Sequence, residues 1–251
     1  YLGNSDFGII SDLKEDPWQF ARMVASKMPN TVKSCMAPGV LHPFEAPQPW
    51  PIVELFYTRV AETGALNRAQ IVSNTLDQTK RQFPALVPLF RGLGLQVALA
   101  LSYTISPRHT DQYYAQKTRE ILMFKPDVVY LKDQSGLLTV DRLRTLLPVI
   151  VQNANGVGVE LHSHCTTGLA PLLYLEALRL GVRALHTAVP PLADGSSQPS
   201  ILNLAGNVRL MGYSHRVDEK ILRSVAKRLT AMARQDKLPT GAPLEYDYAQ
   251  Y

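Results

Sequence analysis

The sequence predicts an α/β fold, a (β/α)₈ barrel that lacks its first strand. Short apolar strands alternate with helical stretches along the chain, which is the pattern of a parallel βα protein. The segment Gln96–Ser102 is apolar almost throughout, as buried parallel strands are. The seven strand candidates lie near residues 7–10, 31–36, 69–73, 96–102, 127–131, 157–161 and 182–188. Because a closed barrel has eight strands, either the sheet is open or, as the abrupt start at Tyr1 favours, the first strand precedes this sequence.

Local signals place the helices between these strands. Asp16 and Pro17 are typical of an N-cap and the first helical position, and they predict a helix to about Met28. Thr139 has the same capping role before the strand near 157–161. The other predicted helices lie near Ile52–Gly64, Gln78–Leu93, Thr110–Phe124, Ala170–Leu180, Ser200–Met211 and Asp218–Arg234.

The composition restricts the class of protein. The chain has 251 residues, of which 46% are hydrophobic and 19% charged, so we expect one large globular domain over residues 1–251. The basic residues behind the net charge of +5 are spread along the helices, which argues against nucleic-acid binding. No apolar run approaches the ~20 residues of a membrane helix. With only Cys35 and Cys165, the sequence predicts no disulfide framework and fits the reducing cytoplasm.

Two histidines one residue apart, His162 and His164, close a short apolar strand. Side chains along a strand alternate between its faces, so both imidazoles point to the same side. About one βα unit upstream, another apolar strand ends in Lys132 and Asp133. Because the chemistry of a βα barrel lies at the carboxyl ends of its strands, this pattern predicts a metal site. Two alternatives stay open, namely a strand-capping lysine paired with Asp133, and rim histidines that form hydrogen bonds or act as a general base.

Two further features follow these strands. Cys165 is either a nucleophile or a packing residue, and packing is favoured because the sequence offers no dedicated base for it. The turn Asp194–Pro199 is rich in small polar residues whose backbone N–H groups suit a ligand. We assign Ser196 and Gln198 in this turn as substrate contacts, with a plain turn that opens a helix as the alternative.

Several segments together resemble one known family. Tyr130–Leu138 (YLKDQSGLL) resembles "IKDMAGLL", Glu160–Gly168 (ELHSHCTTG) resembles "LHTHDTSG", and His186–Ser200 resembles "DTAIAPLSGGTSQPS". Glu15–Trp18 and Met28–Asn30 resemble "ENPWERL" and "MPN". These segments are typical of the biotin-dependent carboxyltransferases, which include pyruvate carboxylase, the oxaloacetate decarboxylase α subunit and a transcarboxylase subunit. The order and spacing hold over nearly the whole chain, so the resemblance also implies the barrel fold.

The resemblance implies a complete set of site residues. Lys132 would be carbamylated and would bind a divalent metal, Zn²⁺, Mn²⁺ or Co²⁺, together with His162 and His164. Lys132 is therefore also assigned as catalytic, as is Thr167 in the second quoted segment. Biotin on a carrier protein or domain would bring or remove the carboxyl group of a small carboxylic acid, and we expect a homo-oligomer. An aspartate ligand on the first strand and a C-terminal extension would lie outside residues 1–251.

The chain departs from this family where the substrate would bind. Family members that act on pyruvate carry an arginine in a segment like "MLLRG", and the matching segment Cys35–Gly39 has Pro38 at that position. The family segment "FDSLN" is replaced by Ile71–Thr75. We therefore predict that pyruvate is a poor substrate, and that the acid is held by the polar residues Ser73, Asn74 and Thr75.

Three functions follow from this pattern. The first is metal-dependent carboxyl transfer or decarboxylation of an acid related to the 2-oxo acids. The second is a biotin-free lyase or Claisen-type synthase of a related barrel, against which Lys132 argues because such relatives generally lack it. The third is a non-catalytic scaffold subunit that retains its metal, which Pro38 favours and the full set Lys132, His162 and His164 opposes.

Overall fold

The computed structural model describes residues 14–37, 49–72 and 76–250, without the side chains of 76–78. The predicted strand near 7–10 and the residues Pro38, Ser73, Asn74 and Thr75 lie outside this part of the chain. The described strands are β1 (Ser34–Ala37), β2 (Arg68–Ile71), β3 (Gln96–Ser102), β4 (Val128–Asp133), β5 (Gly158–Ser163) and β6 (Ala184–Leu185). The helices are α1 (Pro17–Lys27), α2 (Trp50–Glu62), α3 (Leu76–Gly92), α4 (Asp111–Leu122), α5 (Val140–Asn153), α6 (Ala170–Arg179), α7 (Ile201–Leu210) and α8 (Glu219–Gln235). The predicted alternation of strands and helices is confirmed for the described residues.

The chain divides into two compact units. The first comprises Tyr1–Leu101 and Arg119–Val129, and in its described part β1, β2 and β3 are parallel neighbours in that order. The apolar run of β3 is fully buried from residue 97 to residue 101, as its sequence predicts. Buried aromatic side chains join α2 and α3, with Tyr57 edge-on to Phe90 at 4.8 Å between ring centroids. Asp16 caps α1 as expected and accepts a hydrogen bond from the Trp18 amide at 2.8 Å.

The second unit comprises Ser102–Thr118 and Tyr130–Tyr251, and it contains β5 and β6. These strands are parallel, with Glu160 opposite Ala184 and Leu161 opposite Leu185. Thr139 caps α5 by accepting a hydrogen bond from the Arg142 amide, which confirms its predicted role. The caps of α7 and α8 are Ser200 and Asp218.

The last predicted strand, near 182–188, is shorter in the structure than its apolar sequence suggests. Only Ala184 and Leu185 form β6, and Ala188 makes an isolated bridge to Ser200. Pro190 and Pro191, which follow Val189, have no N–H groups to donate to a strand ladder, so the strand does not resume there. Within the described part of the chain, no helix is both long enough and apolar enough to cross a membrane.

Candidate metal centre

The end of β4 carries two charged residues that face opposite sides of the strand. Asp133 is fully buried, and its carboxylate accepts hydrogen bonds from the Leu137 and Leu138 amides at 3.0 Å and from the Ser163 hydroxyl at 2.8 Å. Burial raises the pKa of Asp133, while these hydrogen bonds act in the opposite direction. The Asp133 side chain therefore holds together the turn after β4 and the end of β5.

Lys132 is buried on the other side of β4. Its exposed fraction is only 5%, and desolvation lowers its pKa to about 8. Its charge is also one of the causes that lower the pKa of His162, so the lysine lies near that imidazole. The interpretation of Lys132 as an exposed strand-capping residue does not fit this burial.

The two histidines of β5 and its extension converge through one nitrogen each. The Nε2 atom of His162 lies 3.2 Å from the Nε2 atom of His164. Two nitrogens that bind a single zinc ion at about 2.0–2.1 Å with tetrahedral geometry are separated by about 3.3 Å. The observed separation therefore fits two ligands of one metal ion.

The backbone selects the tautomer of His164. Its Nδ1 atom lies 2.6 Å from the Ser196 carbonyl oxygen, which can only accept a hydrogen bond. Nδ1 must therefore carry a hydrogen, and in the neutral tautomer with this hydrogen the lone pair of the ring lies at Nε2. Ser196, assigned from the sequence as a substrate contact, thus orients a histidine through its main chain.

Gln198 lies across the two ring nitrogens. Its amide nitrogen is 3.3 Å from Nε2 of His162 and 3.1 Å from Nε2 of His164. The turn Asp194–Pro199, which the sequence analysis assigns to substrate binding, therefore lies directly beside the two imidazoles. Its residue Ser197 also accepts a hydrogen bond from the Cys165 amide at 2.8 Å, which joins this turn to the end of the β5 segment.

His186 and Glu160 were not identified as site residues from the sequence. The parallel register of β5 and β6 continues to place His186 beside His162, and their Nδ1 atoms are 3.0 Å apart. The other nitrogen of His186 lies 2.9 Å from a carboxylate oxygen of Glu160. The only sequence signal was the period-two spacing of Glu160 and His162, which places both on one face of β5.

The neighbouring polar side chains support the turns. Thr167, assigned as catalytic, is buried and donates its hydroxyl hydrogen to the Gly136 carbonyl at 2.5 Å. Cys165 is also buried, and desolvation, followed by the nearby Asp194 carboxylate, raises its pKa to about 12. A thiol with such a pKa is almost entirely protonated at neutral pH, which fits the packing interpretation of Cys165. The catalytic role of Thr167 stays a prediction.

The described residues supply only part of a ligand set. Among them, no group of three or more histidine, cysteine, aspartate or glutamate side chains is arranged to hold a metal ion. The donors that do converge are the imidazoles of His162 and His164, with the Lys132 side chain nearby. These residues fit the predicted centre if the lysine contributes as a carbamate.

Comparisons with known proteins show that the chain is similar to carboxylase subunits. It is 28% identical over 221 residues to a pyruvate carboxylase subunit of Methanocaldococcus jannaschii, covering 85% of this chain and 37% of that protein. It is 27% identical over 228 residues to the 2-oxoglutarate carboxylase large subunit of Hydrogenobacter thermophilus, covering 90% of this chain and 34% of that protein. No family model matches the sequence. The chain is therefore similar in sequence to carboxylase subunits of these two organisms.

The fold of this chain agrees with the similarity in sequence. The carboxyl transferase domain of Rhizobium etli pyruvate carboxylase, solved with pyruvate, matches it with a TM-score of 0.89 at 20% identity, over 99% of this chain and 42% of that one. The predicted fold class, an α/β protein of the carboxyltransferase barrel type, is thereby confirmed. This chain spans about a third of the length of the two carboxylase relatives described above.

Proposed function

We propose that this chain carries a metal-dependent site for carboxyl transfer to or from a small 2-oxo-acid-like substrate, with biotin as the carboxyl carrier. The observation that carries the proposal is the 3.2 Å separation of the His162 and His164 Nε2 atoms beside the buried Lys132. The chain that carries this arrangement is similar in sequence to a pyruvate carboxylase subunit and to a 2-oxoglutarate carboxylase subunit. The metal is Zn²⁺, Mn²⁺ or Co²⁺, all of which accept imidazole and carboxylate-type oxygen ligands.

Lys132 is proposed to enter the ligand set as a carbamate. Because burial lowers its pKa to about 8, a larger fraction of this amine is neutral near physiological pH than for an ordinary lysine. The neutral nitrogen attacks the carbon of CO₂, a new N–C bond forms, and one C=O electron pair moves to oxygen. The nitrogen then loses a proton to solvent, which leaves one negative charge on the carbamate oxygens.

The protein's own residues prepare the site for this chemistry. A bound divalent metal would supply Lewis acidity, which polarises a substrate oxygen and stabilises enolate charge when the carbon–carboxylate bond changes. The Ser196 carbonyl holds the ring of His164. The Gln198 amide lies close to Nε2 of both histidines, so it could contact a molecule bound beside them. We assign Ser196 and Gln198, together with Ser73, Asn74 and Thr75 outside the described residues, to substrate binding, and Thr167 to catalysis.

The partner and the substrate class come from the resemblance and the relatives. The names of the two carboxylase relatives indicate 2-oxo acids, and we propose a substrate of that class for this chain. A biotin carboxyl carrier protein or domain would deliver the carboxyl group, and the active form would be a cytoplasmic homo-oligomer.

A metal-reconstitution assay tests the proposal. The full-length protein is stripped with a chelator, reloaded with Zn²⁺, Mn²⁺ or Co²⁺, and assayed for decarboxylation of a panel of carboxylated 2-oxo acids with and without free biotin. We expect turnover that requires both metal and biotin and is lost in His162→Ala and His164→Ala, while the control His215→Ala retains it.

Each other outcome supports a different function. Metal-dependent cleavage that does not need biotin would favour the lyase or synthase. Stoichiometric metal with no turnover of any acid would favour the scaffold subunit. Absence of bound metal after reloading would refute the metal centre itself.

A further inference from the structure

A line of three titratable side chains runs behind the candidate metal centre. A Glu160 carboxylate oxygen lies 2.9 Å from Nε2 of His186, and Nδ1 of His186 lies 3.0 Å from Nδ1 of His162. Glu160 and His162 are each only 8% exposed. The line ends at Nε2 of His162, the atom that faces His164.

Hydrogen-bond rules give this line a direction. An ionised carboxylate only accepts, so Nε2 of His186 carries a hydrogen and donates it to Glu160. In a neutral His186 ring, Nδ1 is then an acceptor. His162 must therefore donate through its own Nδ1, which leaves the lone pair of His162 on Nε2.

The surrounding contacts fix His186 in this position. The Tyr174 hydroxyl donates a hydrogen bond to the His186 carbonyl at 2.6 Å, and Tyr174 itself is fully buried. The Tyr130 ring packs near the His186 imidazole, with 5.6 Å between centroids. The backbone and the ring of His186 are thus both held, so its two nitrogens are aimed at Glu160 and His162.

We propose that His186 and Glu160 are positioning residues that lock His162 in the tautomer with its Nε2 lone pair directed at the metal. This inference rests on the proposed function, because it concerns a ligand of the proposed metal. Partners behind a ligating histidine fix its ring orientation and its tautomer, and their loss typically weakens metal affinity by ten- to a hundred-fold.

Metal affinity measured without turnover tests the proposal. Co²⁺ is titrated into the chelator-stripped full-length protein, with the visible absorption band and a competing chelator as readouts. We expect His186→Phe, which keeps a ring against Tyr130 but removes the acceptor, to weaken Co²⁺ binding by about ten- to a hundred-fold. His186→Asn places an amide oxygen near the position of Nδ1 and should recover most of the affinity.

A matched control lies in the same unit. His215 also approaches a carboxylate, with its Nε2 atom 3.6 Å from Glu219, and His215→Phe should leave Co²⁺ affinity unchanged. Glu160→Gln, whose amide can donate as well as accept, releases the tautomer and should weaken binding in the same direction as His186→Phe but less. If His186→Phe does not fold, the Co²⁺ affinity of Glu160→Gln is compared with that of His215→Phe, and equal affinities would overturn the positioning role.

The outcomes separate the two proposals. A parent protein that binds no Co²⁺ refutes the metal centre. A parent that binds Co²⁺, with His186→Phe and Glu160→Gln binding equally well, overturns only the positioning role. Equal loss in His186→Phe and His186→Asn would also overturn it, because the acceptor atom would then be irrelevant.

Discussion

At the scale of single residues, neighbouring side chains on β4 have separate roles because a strand alternates its faces. Asp133 accepts three hydrogen bonds that hold two segment ends, whereas Lys132 is buried near His162. Burial of an amine costs stability, since desolvation disfavours its charged form. A costly buried lysine beside two converging imidazoles is typical of a functional site rather than of a packing site.

Replacement of Lys132 should separate activity from stability. We expect Lys132→Met to lose nearly all carboxyl transfer, because the anionic ligand is removed, while the melting temperature of the metal-free protein stays equal or rises as a buried charge is replaced by an apolar side chain. Steady-state assays and thermal unfolding measure the two effects. The exposed Lys220→Met serves as the control, and full activity in Lys132→Met would rule out the carbamate.

Gly136 is a second residue whose identity the site requires. It adopts φ +66°, and an added Cβ would lie 2.2 Å from the Thr166 hydroxyl and 2.7 Å from the His164 carbonyl oxygen. We expect Gly136→Ala to lower the free energy of unfolding by about 1–3 kcal/mol, because both the backbone and the contact are strained. Gly158→Ala is the matched control, since its added Cβ meets nothing within 4 Å. Urea denaturation measures both variants, and equal midpoints would contradict the prediction.

At the scale of elements, an ion pair joins the helices α5 and α6. Arg144 on α5 donates to a Glu176 carboxylate oxygen at 2.7 Å, and Arg179 on α6 donates to the other oxygen at 3.1 Å. The hydrogen bond from Arg144, followed by that from Arg179, lowers the pKa of Glu176 below its usual value of 4.5. The helices that follow β4 and β5 are thus linked at their surfaces as well as through their apolar faces.

The sign of this pKa shift gives a pH-dependent prediction. Since the folded pKa of Glu176 is lowered, its contribution to stability is present above the unfolded pKa of about 4.5 and is lost as the pH falls through the folded value. Glu176→Gln should therefore melt at a lower temperature than the parent at neutral pH, and the difference should shrink in acid. Thermal unfolding across this pH range measures it. A difference that grows in acid would contradict the assignment.

At the scale of the whole molecule, the residues that match the carboxyltransferase motifs and the residues that differ from them belong to different parts of the proposed site. The described residues retain both imidazoles and the lysine, whereas Pro38 stands in the segment where the pyruvate-specific family members carry an arginine. An arginine can form a bidentate, charge-assisted pair with a substrate carboxylate, and proline offers not even a backbone N–H. We therefore propose that the chain combines a metal centre of the carboxyltransferase type with a different substrate segment.

This combination predicts the order of substrates. Because each lost charge-assisted hydrogen bond contributes roughly 1.5–3 kcal/mol, we expect pyruvate and oxaloacetate to be turned over less efficiently than the preferred acid by one to several orders of magnitude. A steady-state panel of 2-oxo acids with the full-length protein and its biotin carrier measures kcat/KM. As a matched test, Pro38→Arg should raise the efficiency for pyruvate. Efficient turnover of pyruvate by the parent would mean that another cation replaces the arginine.

The sequence by itself determined the order of strands and helices in the described residues. It also indicated that His162 and His164, two central side chains of the site, share one face of their strand. Periodicity is local information, so the apolar run of β3, the caps Asp16 and Thr139, and the shared face of His162 and His164 follow from a few neighbouring residues. The quoted motifs carried the resemblance to carboxyltransferases, which the relatives confirmed.

Only the tertiary structure decided which partners these side chains meet. His186 reaches His162 because β5 and β6 are parallel in a register that places Glu160 opposite Ala184, and register between strands separated by a helix is set by packing rather than by local pattern. The burial of Lys132 and Cys165 likewise depends on the elements that cover them. The sequence could indicate the two imidazoles of the proposed centre, whereas the hydrogen-bond partners behind them, Ser196 for His164 and His186 with Glu160 for His162, required the fold.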